Sequence, residues 1–528
     1  MFHSLAATLK KHPQWLAILF FSAYFLLGLV IFDDYGVSTD EVFQIEKAVL
    51  NLDYITGKNA DLLEYPDRHY GAILAIPLYL AGKALGDPRY DYLLRHLSTF
   101  LIFFVSSIFF YRLARHLKLN RAIALVGTAI YIFHPHIFSH SFYNIKDIPF
   151  LAVYLINLYT LVLWSEKPDY ALALLNGFLS GILVVFRLPG LLMWGITFLV
   201  WLWILLLNPR AWKSLIPAGA LYALTAILTL FVFLPTLWHD PLGETLAFFS
   251  MDLFTWGGKE LFMGNFLRPE FFPRTYLPIY ILVTTPLLFT LLLAIGTLVI
   301  LFQMFIRLEV FKSTSMPRIV LMLALYLPIL YIMAARPIIY NGWRHVFFIY
   351  APFALIAALG LNDFWNWFAS IRHHLLRATA RVLLVLSLAA QAGFLAWFLV
   401  VSHPYQHVFY NRLAGPDLDT IRTQFSMDYW GLAYREALVT ILEHDDRPLI
   451  RVTAASNHLL TENLHILPLA QRERFVVNGP KQESDYYLTH YRYEFKDVDP
   501  SRTLWREIEV LGAPIHGIYK FNPATPSP

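Results

Sequence analysis

The sequence predicts an α-helical polytopic membrane protein with a small α/β domain at its C-terminal end, and three observations predict it. Mean hydropathy is +0.52. Only 15% of the 528 residues are charged, where a soluble chain carries about 25%. The 57% hydrophobic residues also come in long blocks separated by basic and acidic loops. The first block runs from Trp15 to Phe32, long enough to cross the hydrocarbon core of a bilayer. Blocks of this kind predict about eleven spans, near 15–33, 93–112, 121–137, 148–164, 170–186, 188–207, 214–236, 278–306, 319–335, 345–363 and 382–402. Lys10 and Lys11 precede the first block with no small-residue cleavage site after it, so it reads as an uncleaved span.

The loops set the expected orientation. Arg112, Arg115, Lys118 and Arg121 share one loop, Arg210 and Lys213 another, and Arg307, Lys312 and Arg318 a third. Arg372, Arg377 and Arg381 follow in a fourth. With eleven spans all of these fall on the side of Lys10 and Lys11. Short basic loops lie in the cytoplasm. The N-terminus is therefore expected inside, and the acidic loops and the tail outside.

Three segments belong to that outer side. Residues 34–92 are too long for a simple connector and contain an apolar stretch, Gly71 to Gly86, broken by Pro77 and Lys83. Its length predicts a re-entrant or interfacial helix instead of a span. Residues 237–277 form a second large loop rich in aromatics, Gly and Pro. The tail from His403 to Pro528 is more polar. It shows an amphipathic helical pattern near 431–443 and β-like runs at Leu449–Val452, Arg474–Val477, Asp485–Thr489 and Ile515–Phe521. The expected division is a membrane domain over 1–402 and an extracytoplasmic domain over 403–528.

Composition excludes several chemistries. The chain has no cysteine, so disulfides, zinc–thiolate sites and thiol nucleophiles are out. The net charge of +4 sits in topology loops and calls for no nucleic-acid partner. No P-loop or dinucleotide fingerprint occurs, which leaves a nucleotide-driven mechanism without support.

The candidate chemistry gathers at the outer ends of the spans. Asp40 and Glu41 follow the first span. Ser38-Thr39-Asp40 could open a helix as an ordinary cap, and a carboxylate there could also accept the proton of an attacking hydroxyl. Asp147 stands at the start of the fourth span just before Pro149, a normal helix-start pattern. Lys146 beside it could contact a phosphate or pair with a carboxylate. His134, His136 and His140 precede it; two imidazoles a turn apart could share an ion. No third ligand stands at metal spacing, so capping the third span is their expected use. Arg187 lies between two apolar runs at the turn of a helical hairpin, and Arg344 lies in Tyr340-Asn341-Gly342-Trp343-Arg344-His345. An arginine at membrane depth costs about 2.5–3.5 kcal/mol at the centre on insertion scales and less near the interface. Either alone could snorkel to headgroups. Two on one side with His345 adjacent point to a bound anionic headgroup, which the guanidinium fork suits. Trp256-Gly257-Gly258-Lys259-Glu260 fits a close approach to a sugar or phosphate and fits an ordinary turn equally well.

These residues, in this order, resemble the GT-C superfamily of polyprenyl-phosphate-sugar-dependent glycosyltransferases, and within it family 39, the protein O-mannosyltransferase-like family. The resemblance is carried by Thr39-Asp40-Glu41, Asn144-Ile145-Lys146-Asp147-Ile148-Pro149-Phe150, Phe186-Arg187-Leu188-Pro189-Gly190 and Trp343-Arg344-His345. In the tail it is carried by His403-Pro404-Tyr405-Gln406, Asn411 and Asp428-Tyr429-Trp430-Gly431. It implies a cell-envelope enzyme, in a bacterial inner membrane, that moves a hexose or pentose with inversion from a lipid-linked phosphate to a glycan, lipid or protein acceptor. It implies Asp40 as the base, with Glu41 and Asp147 orienting the acceptor or tuning Asp40. Arg187, Arg344, His345 and Lys146 would hold the departing phosphate. The 237–277 loop is too short for the luminal β-trefoil of eukaryotic protein mannosyltransferases, which counts against a protein acceptor, and no metal is carried over. A transporter or flippase of an anionic lipid or lipid-linked sugar is the competing reading, although it usually shows internal repeats and midplane charges. An envelope assembly protein anchored by its membrane part is a third.

Overall fold

In the computed structural model the described residues are 14–249, 256–479, 483–493 and 499–522. Lys10, Lys11 and the Pro-rich end lie outside them. The membrane part is a helical bundle. Its helices are α1 (Gln14–Ile31), α2 (Thr39–Ile55), α3 (Ala75–Leu85), α4 (Arg89–His116), α5 (Arg121–Ile132), α6 (Pro135–Tyr143), α7 (Asp147–Glu166) and α8 (Tyr170–Phe186). They continue as α9 (Leu191–Leu207), α10 (Trp212–Phe233), α11 (Pro241–Phe249), α12 (Tyr276–Thr284), α13 (Leu287–Leu301), α14 (Met316–Ala335), α15 (Tyr350–Ala369) and α16 (His374–Val401). Among the described residues nine helical segments are long and apolar enough to cross a membrane, and the protein is an integral membrane protein. The expected third span is a pair, α5 and α6, bent by 64°. The expected fifth is the 17-residue α8. The apolar stretch in the first loop is the short helix α3, ended by Gly86 in the left-handed region.

Two expectations change. The span expected over 278–306 is broken at Thr285-Pro286. Pro286 offers no N–H and forces the residue before it out of the helical region, and Thr285 is extended at φ −97°, ψ 136°. The broken turn is not left unsatisfied: the Asn411 side chain donates to Leu282 O (2.6 Å) and Thr285 O (2.7 Å), and the Asn411 N–H donates to Val283 O. Non-helical backbone at this depth persists only where protein satisfies it. The three histidines are also not interfacial caps. The bend at His134-Pro135 turns α6 into the interior, where all three rings are buried. There His134 Nε2 meets Thr285 Oγ1, His136 Nε2 meets Phe409 O, and His140 Nδ1 meets Asn144 Nδ2.

Packing follows side-chain size and polarity. The helix from Arg344 to Ala369 is almost wholly enclosed, whereas α1 and α16 keep most of their surface outward, as expected for a centre and a lipid-facing rim. Helices α8 and α10 lie unusually close, because Gly177 and Gly181 form a GxxxG face. A Cβ at Gly177 would stand 2.4 Å from Tyr222 O, and one at Gly181 would stand 2.6 Å from Thr229 Cβ. Small residues at this spacing let helix backbones meet in lipid. On its other side α8 is bonded to α7: Asn157 Nδ2 donates to Ser180 Oγ (2.8 Å), and Asn176 Nδ2 donates to Thr160 Oγ1 (2.9 Å). Interhelical bonds of this kind are worth about 0.6 kcal/mol on average. They fix α8 in depth as well as in rotation.

The tail domain contains α17 (Leu418–Arg422), α18 (Tyr434–His444), α19 (Asn457–His465) and α20 (Leu469–Arg472). Before it, in the second loop, stands a hairpin of β1 (Glu260–Phe262) and β2 (Asn265–Leu267). The tail's sheet has β3 (Ile450–Ala454), β4 (Phe475–Val477), β5 (Tyr486–Thr489), β6 (Arg502–Val510) and β7 (Ala513–Phe521) in the order β4-β3-β5-β7-β6. The first three strands are parallel and the last two pairings antiparallel. Four of these strands were expected; β6 and the second-loop hairpin were not. The tail grips the chain just ahead of Asp40. Asn463 accepts from the Val37 N–H at 2.9 Å and donates back to Val37 O at 3.2 Å. Arg435 donates to Asp33 O and Tyr35 O.

The α8–α10 contact gives a stability prediction. Gly181→Val forces a branched side chain into Thr229 and is expected to cost about 1–3 kcal/mol, read as a lower unfolding temperature in detergent. Gly195→Val, where nothing stands within 4 Å of a Cβ, is the matched control and should not lower it.

Candidate functional site

The site begins with how α2 starts. Ser38 is its N-cap, and the Ser38 N–H and hydroxyl both donate to Glu41 Oε2 at 2.8 and 3.0 Å, the return half of a capping box. The other oxygen of Glu41 pairs with His96 Nε2 at 3.0 Å, both side chains fully buried. Glu41 is thus committed to holding the first turn. That turn presents Asp40 toward the interior of the bundle, and one face of α2 carries Asp40 and Lys47 two turns apart.

Asp147 opens α7. Asn144 prepares it: Asn144 Oδ1 accepts the Asp147 N–H at 2.9 Å, and Nδ2 donates to Asp147 Oδ2 at 2.9 Å. Arg187 sits in extended conformation where α8 ends, before Leu188-Pro189-Gly190. Pro189 has no N–H with which to continue the ladder onto Val185 O, which the Gly71 N–H takes instead. Arg344 follows a left-handed turn at Asn341 (φ 57°) and Gly342 (φ 68°).

These three elements bring the charged groups together. Arg344 Nη1 stands 2.8 Å from Asp40 Oδ2 and 3.2 Å from Asp147 Oδ2. Arg187 Nη1 stands 2.8 Å from Asp147 Oδ1. Asp147 is therefore bridged by both arginines, and Asp40 shares one of them. Asp147, Arg187 and Arg344 are buried, while the Asp40 side chain keeps 14% exposure. The Arg344 guanidinium also lies over Trp430 (4.6 Å) and Tyr340 (5.2 Å), so the tail supplies one wall of the site. Cation–π contacts of this kind are worth about 0.5–2 kcal/mol, depending on desolvation. His345 packs its ring edge-on against Tyr340 at 4.6 Å, and its Nε2 has no hydrogen-bond partner among the described residues.

Lys146 and Lys47 both approach the Tyr70 ring, at 4.2 and 4.3 Å from its centroid. Lys47 also pairs with Asp67 at 3.1 Å. Tyr70 is delivered by the first loop, which is tied to α8 through Gly71 N–H to Val185 O and to α11 through Arg68 and His69 on Glu244. Three carboxylates (Asp40, Asp67, Asp147) thus stand with four basic side chains (Lys47, Lys146, Arg187, Arg344).

The charges tune one another. Burial raises the Asp40 carboxyl, but Arg344, then Lys146, Arg187 and Lys47, overcome it and bring it down to about 2. Asp40 is therefore ionised at neutral pH. Its folded value lies below its unfolded one, so its stabilising contribution is present above about pH 4 and fades as pH falls through 2. Burial lowers Lys146, with Lys47 and Arg187 adding to it against Asp40 and Asp67, to about 7.

The structure brings together Asp40, Asp147, Arg187, Arg344 and Lys146, with His345 beside them. It turns Glu41 away toward Ser38 and His96. Lys47, Tyr70, Tyr340 and Trp430 belong to the site and were not expected there. The helical spacing of Asp40 and Lys47 was the available signal for one of them, and Tyr340 stands four residues before Arg344; Tyr70 and Trp430 arrive from distant segments. An apolar groove of about 870 Å³ between α1, α5, α13 and α16 shares no residue with the charged cluster.

No family model matches the chain, and no curated protein matches it either. Solved structures of ArnT from Cupriavidus metallidurans do align with it. The one bound to undecaprenyl phosphate has 11% identity and a TM-score of 0.46, over 97% of this chain and 99% of that one. The apo structure has 12% identity and a TM-score of 0.47, over 96% and 98%.

Proposed function

We propose that the chain is an inverting GT-C glycosyltransferase that moves a sugar from a polyprenyl-phosphate donor to an acceptor hydroxyl at the outer face of a bacterial inner membrane. The observation that carries this reading is the cluster itself: an ionised, partly open carboxylate, Asp40, held by Arg344 beside basic side chains that outnumber the carboxylates. Inversion needs a base on one side of the anomeric carbon and a sink for negative charge on the other. Asp40 takes the acceptor proton as the acceptor oxygen bonds to the anomeric carbon. The bond from that carbon to the phosphate oxygen breaks, and the polyprenyl phosphate leaves with the electron pair. Arg187, Arg344 and Lys146, with Lys47 near, hold the phosphate. His345 lies within their reach, with a ring nitrogen to offer. Asp147 orients the two arginines, and Glu41 fixes the turn that aims Asp40.

The assignment of the base is tested by Asp40→Asn. Transfer from a polyprenyl-phosphate sugar is expected to fall by about 10²–10⁴-fold, the range of a lost general base, with donor binding retained. Wild-type turnover in that variant sinks the assignment, and movement of intact lipid without sugar transfer favours a flippase. A pH dependence follows from Lys146. It is protonated below about pH 7 and neutral above, and an anion binds the protonated form. For a phosphodiester donor, which does not itself titrate here, affinity is expected to fall by roughly tenfold or more from pH 6 to 9. Lys146→Arg should flatten the profile. An unchanged slope in that variant places the titration elsewhere.

A further inference from the structure

Glu260 lies outside the charged cluster and is fully buried. Each of its oxygens accepts two hydrogen bonds. Oε1 takes Tyr280 OH (2.7 Å) and the Gly342 N–H (3.0 Å); Oε2 takes Tyr276 OH (2.8 Å) and the Asn341 N–H (2.6 Å). A carboxylate with four donors of good length is a fixed point: buried polar groups persist when fully satisfied, and charge-assisted bonds are the stronger kind. The two backbone N–H groups it holds belong to Asn341 and Gly342, both at positive φ. This is the turn that carries the chain into Trp343 and Arg344. A non-glycine residue in this conformation is uncommon and persists when its surroundings impose it. Here Glu260 does so from one side. From the other, Arg492 of the tail domain donates to Asn341 Oδ1 at 3.1 Å.

The same hairpin holds the other wall of Arg344. Phe262 of β1 forms a bridge with Phe425, the Gly264 N–H donates to Gln424 O at 3.1 Å, and the Leu261 N–H reaches Ser426 Oγ. Three residues further on from this seam are Tyr429 and then Trp430, whose ring lies under the guanidinium. One short hairpin therefore sets both the backbone that delivers Arg344 and the aromatic surface it rests on.

We propose that Glu260 is a positioning residue of the donor site, acting through the Asn341-Gly342 turn to hold Arg344 where the phosphate binds. This rests on the reading of Arg344 as a phosphate ligand. Glu260 touches neither substrate nor reacting atom in this assignment; its effect passes through Arg344, and that makes it separable from a purely structural role.

The test is a double-mutant cycle on the full chain in lipid nanodiscs, with undecaprenyl phosphate as the probe. Glu260→Gln removes one acceptor and the charge, and is expected to weaken binding by about tenfold, the scale of a charge-assisted bond. Arg344→Gln is expected to weaken it at least as much. In the Arg344→Gln background the Glu260→Gln change should add almost nothing, because the group it positions is gone. Full additivity in the double variant, or wild-type affinity in Glu260→Gln, overturns the proposal. If Glu260→Gln does not fold, Tyr276→Phe with Tyr280→Phe removes two of its four donors and goes through the same cycle. Failure of the wild-type protein to bind undecaprenyl phosphate overturns the donor reading itself. Binding that is lost in Arg344→Gln but kept in Glu260→Gln overturns only the positioning role.

Discussion

The arrangement of the charged end of the bundle depends on one guanidinium. Arg344 is buried, and a buried charge without partners is costly. Its partners come from three separate parts of the chain: Asp40 from α2, Asp147 from α7 and Trp430 from the tail. Arg187 then completes the set by balancing the second oxygen of Asp147. Removing Asp147 would leave Arg187 in low dielectric without its carboxylate, and such one-sided losses typically cost about 3–5 kcal/mol. The helices are therefore locked together at this end by charge pairing. In the lipid-facing body they are held by small-residue contacts and a few interhelical bonds. The tail domain closes over this end through Asn463 and Arg435 on residues 33–37, and so fixes the approach to Asp40.

Much of this was legible in the sequence. Hydropathy blocks place the spans because a helix must enclose its own backbone groups to cross lipid, and among the described residues nine helices are long and apolar enough to cross, with the bent pair α5 and α6 a tenth candidate. Asp40, Asp147, Arg187 and Arg344 stand out because charge beside long apolar runs is rare. What was not legible depends on contacts between distant residues. The break at Thr285-Pro286 sits inside a run as apolar as any span, and it is stable because Asn411, more than a hundred residues away, satisfies it. The histidines looked interfacial because they follow a span, and only the 64° bend buries them. Glu41 read as a companion of Asp40 because the two are adjacent. Adjacent residues on a helix point about 100° apart, and the capping box with Ser38 claims the second carboxylate. Tyr70 and Trp430 come from segments with no local pattern in common with Asp40 or Arg344, whereas Lys47 shares a helix with Asp40 and Tyr340 stands four residues before Arg344.

The charge pairing also bears on how a carboxylate near pKa 2 could serve as a base. A carboxylate that acidic is a weak proton acceptor, and general-base catalysis is most effective with a pKa near the working pH. Asp40 is acidic chiefly because Arg344 lies 2.8 Å away, with Lys146, Arg187 and Lys47 behind it. On the proposed reading, a donor phosphate brings negative charge to those same groups. Each unit of positive charge it neutralises is withdrawn from Asp40, and the carboxyl moves back toward and above its ordinary value. The base would thus gain strength when the leaving group is in place and lose it when the polyprenyl phosphate departs. An acceptor bound without donor would meet a carboxylate too weak to deprotonate it. A cluster in which one arginine serves both the base and the phosphate couples the two halves of the reaction through electrostatics alone, with no moving part.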